Sequence, residues 1–444
     1  MIDNQTLIAS TLNKLEISKL NLMQAAALNE ALTSQDLVLL SPTGSGKTLA
    51  FLLPLLLRLR RDDNSVQALI LTPSRELALQ IEGVFKSMGT PWRCCCCYGG
   101  HPISEERRSI EGNRPEVIIG TPGRILDHID KWNFNPKSIE TLIIDEFDKS
   151  LEFGFHDEMA DIMAELPNLQ KRILLSATDA EQIPEFTGLE NCVKLNYLSD
   201  SKDNVSRLSM RRVVSPAKDK IETLYRLLCT IGSRSSIVFC NHREAVDRVS
   251  RLLEESGLYT ERFHGGMEQP DRERSLYKFR TGSCHVLVST DLASRGLDIP
   301  EVEHIIHYHL PIQEDAFIHR NGRTARWEAE GTSYLILCDD ELTPKYIDQD
   351  LETLTLPENP PKVPKPLWTT LYIGKGKKEK ISKGDVAGFL HKKGGLSRED
   401  VGHIDIREHY GFVAVRREKV RSALSLIRGE KIKGMRVLIE EAKY

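Results

Sequence analysis

Short apolar runs, each closing on a polar or glycine-bearing cluster, recur along most of this chain and constrain its fold more than any other feature. In the first half they include Ala68-Leu69-Ile70-Leu71, Val117-Ile118-Ile119, Leu142-Ile143-Ile144 and Ile173-Leu174-Leu175. In the second half they include Ile237-Val238-Phe239, Val286-Leu287-Val288, Ile305-Ile306 and Tyr334-Leu335-Ile336-Leu337. A strand covered on both faces reads as a continuous apolar run, and the longer amphipathic stretches between such runs suit crossover helices. The pattern predicts an α/β protein with parallel sheets and helices on both faces. A length of 444 residues exceeds what one core accommodates and suits two or three domains. Open α/β sheets bind ligands at the carboxyl ends of their strands, so the clusters that close the runs are where working residues are expected.

The first of these clusters is the most specific. Ser41-Pro42-Thr43-Gly44-Ser45-Gly46-Lys47-Thr48 lies between Leu37-Val38-Leu39-Leu40 and Leu49-Ala50-Phe51-Leu52-Leu53. A glycine-rich turn between strand and helix collects backbone N–H groups, here of Thr43, Gly44, Ser45 and Gly46, into a concavity that suits a polyphosphate. Lys47 then reaches the β- and γ-phosphates, and the Thr48 hydroxyl ligates Mg²⁺. Ser41 stands where the generic pattern has a glycine. Asp145-Glu146-Phe147-Asp148 follows the strand Leu142-Ile143-Ile144. There Asp145 would hold the Mg²⁺ and Glu146 would orient the attacking water; an acidic strand end by itself is equally a helix N-cap. The third element is His319-Arg320-Asn321-Gly322-Arg323-Thr324-Ala325-Arg326. Arg323 and Arg326 share a face if this segment is helical, and arginines supply cationic charge to a departing γ-phosphate. The three elements together predict a nucleoside triphosphatase.

An ordered set of further motifs makes residues 15–340 resemble the DEAD-box family of ATP-dependent RNA helicases. In order they are Gln24, the phosphate loop, Thr72-Pro73-Ser74-Arg75-Glu76-Leu77, Gly99-Gly100, Thr121-Pro122-Gly123-Arg124, Asp145–Asp148 and Ser176-Ala177-Thr178. Val238-Phe239-Cys240-Asn241, His264-Gly265-Gly266 with Gln269 and Arg272, Ser289–Asp298 and the arginine segment complete it. The resemblance implies two tandem RecA-like parallel-sheet domains that close over ATP and one RNA strand. It implies that Gln24 reads adenine, that Asp298 meets the ribose, and that Arg323 and Arg326 act as arginine fingers. It implies RNA contacts at Pro73, Arg75, Gly100, Thr121 and Arg124 in the first domain and at Asn241, Gly265, Arg272 and Thr290 in the second. Ser176 and Thr178 would couple closure to strand separation. Three departures stand out: Phe147 replaces an alanine, Asn21-Leu22-Met23 precedes Gln24, and no aromatic residue precedes Phe51.

The net charge of −4 conceals an asymmetry. Residues 369–444 hold 18 Lys and Arg against 10 Asp and Glu, whereas the remainder holds 42 against 54. A basic module on an acidic body predicts a polyanion partner for the tail. Leu371-Tyr372-Ile373-Gly374 and Tyr410-Gly411-Phe412-Val413-Ala414-Val415 read as strands of a small α+β, RRM-like sheet, with Tyr372 a candidate to stack on a base. Tyr372, Tyr410 and Phe412 are equally candidates for the core, and alternation puts some of them there. Lys375, Lys377, Lys378, Lys431 and Lys433 are the candidate phosphate contacts. The tail resembles the RNA-binding domain of DbpA-type bacterial helicases, which implies 23S rRNA or pre-50S particles as partner and a part in ribosome assembly. The expected division is 1–203 and 204–343 for the two RecA-like domains, 344–366 for a proline-rich linker and 367–444 for the tail. An ATP-gated RNA clamp or non-catalytic scaffold is the alternative to an active helicase.

No segment approaches the ~20 apolar residues of a membrane span, and a cytoplasmic monomer is expected. The run Cys94–Cys97 reads as reduced strand residues on alternating faces, so at most two of them can share a site. His304, His307 and His309 read as a satisfied sheet edge.

Overall fold

The computed structural model describes residues 4–442 apart from 32, 34–35, 43, 61–64, 179–182, 190, 199–207, 295–301, 325–330, 339–340 and 349. The chain forms two units that change over near residue 205.

The first unit carries β1 (Asp36–Leu40), β2 (Ala68–Leu71), β3 (Cys94–Cys97), β4 (Val117–Gly120), β5 (Thr141–Ile144), β6 (Lys171–Ser176) and β7 (Cys192–Asn196). Every pairing is parallel, in the order β3-β4-β2-β5-β6-β1-β7. Its helices are α1 (Asn4–Lys14), α2 (Leu22–Ala31), α3 (Lys47–Arg58), α4 (Arg75–Ser87), α5 (Ile103–Asn113), α6 (Pro122–Asp130), α7 (Phe147–Glu152) and α8 (His156–Ala164). Strand side chains alternate, so Leu37 and Leu39 enter one apolar cluster while Val38 and Leu40 enter the other. The cysteine run obeys the same rule: Cys94 and Cys96 face the first cluster, Cys95 and Cys97 the second.

The second unit repeats the plan with β8 (Leu208–Ser215), β9 (Ser236–Phe239), β10 (Thr260–Phe263), β11 (Val286–Ser289), β12 (His304–His307) and β13 (Gly331–Cys338). These pair in parallel in the order β10-β11-β9-β12-β13-β8, with helices α9 (Ile221–Ile231), α10 (Arg243–Glu255), α11 (Gln269–Arg280) and α12 (Glu314–Asn321). The sheet-edge reading of the histidines is corrected here, because β12 lies between β9 and β13. Burial holds His304 down at about 4 and His307 at about 3, so both rings are neutral at pH 7.

The proline-rich stretch lies along this unit. Leu354, Leu356 and Val363 pack against its core, and Arg226 donates to the carbonyls of Leu356 and Pro357. Beyond it, β14 (Trp368–Ile373), β15 (Val401–Ile406), β16 (Gly411–Arg416) and β19 (Ile439–Glu441) form an antiparallel sheet in the order β15-β16-β14-β19. Residues Leu371, Ile373, Val413 and Val415 join α13 (Lys383–Lys392) and α14 (Val420–Leu426) in its core. A hairpin of β17 (Lys431–Ile432) and β18 (Met435–Arg436) turns at Lys433 and Gly434, both with positive φ, as a type I′ turn requires. No helix among the described residues is long and apolar enough to cross a membrane.

Candidate nucleotide site and nucleic-acid surface

The phosphate loop joins β1 to α3. Gly44 (φ 84°) and Gly46 (φ 87°) adopt left-handed backbone, which glycine reaches without strain. A Cβ on Gly46 would also lie 2.5 Å from Gln24 Nε2. Ser41, the departure from the generic pattern, is buried, and its hydroxyl donates to Ser45 Oγ at 2.6 Å across the loop. The Lys47 ammonium donates to the Ser41 carbonyl at 2.7 Å. Thr43 lies outside the described residues.

Gln24 braces this loop. Asn21 caps α2 in a capping box: Gln24 N–H donates to Asn21 Oδ1 at 2.8 Å, and Asn21 N–H donates to Gln24 Oε1 at 3.0 Å. Both amides then reach the loop, Asn21 Nδ2 to the Ser45 carbonyl at 3.0 Å and Gln24 Nε2 to the Gly46 carbonyl at 3.2 Å. Asn21 thus has a role that its sequence reading, a mere departure, missed. The asparagine–glutamine spacing was the available signal.

The acidic cluster follows β5, two strands from β1 in the sheet. Burial pushes the Asp145 carboxyl up and the nearby Lys47 ammonium opposes this, the electrostatics of a site that suits a cation. Glu146 is buried with φ 50° and ψ 51°, a left-handed conformation held between β5 and α7. Phe147 is 2% exposed and packs in the apolar cluster with Leu40, Ile144 and Leu174. Asp148 Oδ2 accepts from the Thr178 hydroxyl at 3.0 Å, Ser176 Oγ accepts from Thr178 N–H at 3.1 Å, and the Ser176 carbonyl accepts from Ser41 N–H at 3.0 Å. The acidic cluster, the phosphate loop and the Ser176–Thr178 segment are therefore one bonded array.

The candidate RNA residues of the first unit come from the ends of its three neighbouring strands β3, β4 and β2. Pro73 is buried, Arg75, Thr121 and Arg124 are half-buried, and Gly100 is exposed with φ 105°. A Cβ on Gly99 would lie 3.2 Å from Arg75 Nη2. Arg124 donates from Nη2 to the His101 carbonyl at 2.7 Å.

The second unit repeats this, with Gly265, Thr290 and Asn241 just beyond the adjacent strands β10, β11 and β9. Asn241 donates to the Leu310 carbonyl at 2.9 Å and accepts from Arg320 Nη2 at 2.8 Å. Arg320, which sequence reasoning left without a role, is fully buried and also donates from Nε to Asp291 Oδ1 at 2.5 Å. Arg323 is buried as well, and nothing in a run of three arginines signals which of them turn inward. Arg272 is buried with its guanidinium 5.5 Å from the centre of the Phe263 ring. Helix α12 ends at Asn321, so Arg323 follows the helix, and the condition for Arg323 and Arg326 to share a helical face is not met. Arg323 is buried; Arg326 and Asp298 lie outside the described residues.

In the tail, Tyr372, Tyr410 and Phe412 form an aromatic cluster with ring centres 5.4–6.1 Å apart. They stand on the sheet face away from the tail core, and helix α11 packs there: Tyr277 lies 5.2 Å from Phe412 and its hydroxyl donates to the His403 carbonyl. Tyr410 donates to Glu273 Oε2 at 3.0 Å, which also pairs with Arg407 at 3.3 Å. Tyr372 stays half-buried. Lys431 and Lys433 are both exposed, and Lys433 Nζ lies 2.8 Å from Asp385 and 2.9 Å from the Lys380 carbonyl. Lys377 and Lys378 sit in a 3₁₀ turn with Lys375 just before it.

The sequence profile for DEAD/DEAH box helicases matches residues 21–186, the helicase conserved C-terminal domain matches 219–328, and the DbpA RNA-binding domain matches 370–441. The ATP-dependent RNA helicase DbpA of Escherichia coli is 35% identical over 436 residues, covering 96% of this chain and 95% of its own. DbpA of Bacillus subtilis is 29% identical over 455 residues, covering 95% and 94%. Among solved structures, S. cerevisiae Dbp5 bound to RNA and ADP BeF3 superposes with a TM-score of 0.66 at 28% identity, covering 75% of this chain and 88% of that one. Mss116p bound to ssRNA and AMP-PNP gives 0.70 at 26% identity, covering 79% and 77%.

Proposed function

The chain belongs to the DEAD-box ATP-dependent RNA helicases, and on that premise we propose that it locally unwinds or remodels structured RNA, in particular large-subunit rRNA during ribosome assembly. It is of the DbpA type and an RNA-stimulated ATPase. The observation that carries the rRNA reading is a basic tail with the DbpA RNA-binding profile joined to both helicase domains in one chain. We take it to act as a cytoplasmic monomer on 23S rRNA or pre-50S particles, with domains at 1–203, 204–343 and 367–444 and a linker at 344–366.

In the proposed mechanism the loop Gly44–Thr48 holds the phosphates of ATP, and Lys47 meets the β- and γ-oxygens. Magnesium on Thr48 and Asp145 would neutralise the phosphate charge. Glu146 orients the attacking water, and Arg323 and Arg326 supply the remaining positive charge. Pro73, Arg75, Gly100, Thr121 and Arg124, with Asn241, Gly265, Arg272 and Thr290, grip the sugar–phosphate backbone, which favours little sequence preference in the core. The bonded array of Asp148, Thr178, Ser176 and Ser41 supports coupling of the nucleotide to that grip.

Steady-state ATP hydrolysis without RNA, with bulk rRNA and with an unrelated structured RNA of matched length tests the proposal. Stronger stimulation by rRNA is expected. Equal stimulation by both RNAs would remove the rRNA preference, and no hydrolysis with either would leave an ATP-gated clamp or scaffold.

A further inference from the structure

Resting on the RNA-surface reading of the first unit, we propose that Glu106 is a positioning residue: its buried carboxylate fixes Arg124 and the Gly99–His101 turn as one preorganised platform for the RNA backbone. Glu106 projects from α5 and is 4% exposed. Its Oε1 accepts from Tyr98 N–H at 2.7 Å and lies 2.9 Å from His101 Nε2. Its Oε2 lies 2.7 Å from His128 Nε2 and 3.4 Å from Arg124 Nε. Two of these groups belong to the turn after β3 and two belong to α6, so one carboxylate joins both candidate RNA segments. Arg124 closes the ring through its bond to the His101 carbonyl.

His128 is oriented from its far side, with Asn133 Nδ2 2.8 Å from Nδ1. An amide donating there leaves the ring proton on Nε2, facing Glu106. Arg124, with Nη2 bonded to the His101 carbonyl and Nε paired with Glu106, offers its remaining N–H edge in one orientation. Binding a phosphate then orders little side-chain freedom.

Cys97 shares this region: ligand atoms of Cys97, Glu106 and His128 lie within 4.8 Å of one another. A carboxylate has about four acceptor positions, and here three hydrogen-bond donors and the charge of a neighbouring guanidinium already meet it. The cluster is a hydrogen-bond hub in preference to a cation site.

The test is RNA-stimulated ATP hydrolysis by the full chain against concentration of a single-stranded RNA of fixed length. Wild type, Glu106→Gln, Arg124→Gln and the double variant are compared. In Glu106→Gln the half-stimulating RNA concentration should rise about tenfold, while KM for ATP and the rate at saturating RNA stay within about twofold. The double variant should be no weaker than Arg124→Gln, because both lose one contact. Unchanged RNA dependence in Arg124→Gln would sink the surface reading itself. Weakening by Arg124→Gln alone, or additive effects, would overturn only the positioning role. If Glu106→Gln does not fold, His101→Ala carries the test: a raised half-stimulating concentration supports the hub, and wild-type dependence overturns it. One equivalent of zinc bound to the full chain and lost in Cys97→Ala also overturns it.

Discussion

Glu106 also shows how a single buried charge links function to stability. Burial opposes its ionisation, but hydrogen bonds from His101, His128 and Tyr98 N–H and the charge of Arg124 hold the carboxyl down from 4.5 to about 2. A carboxyl depressed in the folded state contributes stability that is fully present above about pH 4.5 and lost as pH falls towards 2. A depression of this size is worth on the order of 3 kcal/mol. Urea unfolding midpoints measured between pH 6 and 3 should fall less steeply in Glu106→Gln than in wild type; parallel curves would refute the assignment. Legibility at this scale divides by sequence distance. The placement of Lys47, Asp145 and Glu146 at strand ends was readable because a strand, a turn and a helix fix it within a few residues. The bond from Asn21 to the Ser45 carbonyl, and the three donors and one guanidinium around Glu106, join separate segments, and no local pattern announces such partners.

At the level of elements, helix α11 serves two surfaces. Arg272 lies over Phe263 on the domain's own side, while Glu273 and Tyr277 meet the tail sheet. The sequence offered stacking or core as the fates of Tyr372, Tyr410 and Phe412. The alternation argument was sound, but a sheet has two faces and one of them was covered by a helix of the preceding domain. Contacts of this kind between elements far apart in sequence leave no periodic trace. The bond from Thr370 Oγ1 to Ser283 Oγ at 2.9 Å and the Arg417 guanidinium 4.5 Å from the Tyr259 ring belong to the same seam. Tyr277→Ala removes a buried ring and its hydroxyl bond at a cost of about 3 kcal/mol. The tail and the second RecA-like domain should then lose their shared unfolding transition. Hydrogen exchange read by mass spectrometry would show residues 368–442 opening ahead of α11 in the variant and together with it in wild type. Equal protection in both proteins would mean that the seam does not couple them.

For the molecule as a whole, charge separation was legible from counting alone, whereas the assignment of work among the lysines was not. The basic tail carries its surplus on an acidic body, so binding to a polyanion should depend strongly on salt. Fold supplies the distinction between lysines. Both lysines of the hairpin are exposed, but Lys433 is held by Asp385 and the Lys380 carbonyl at the I′ turn. An ammonium already paired gains less from a phosphate, because the new contact replaces an existing one. Replacing Lys431 with Gln should therefore lower the slope of log K against log salt by about 1 for the target RNA. The corresponding Lys433 change should lower it by less and should instead loosen the hairpin against α13. Binding titrations at several salt concentrations decide between them. A larger slope change at Lys433 would show that it leaves Asp385 for the RNA, making this pair a contact exchanged on binding.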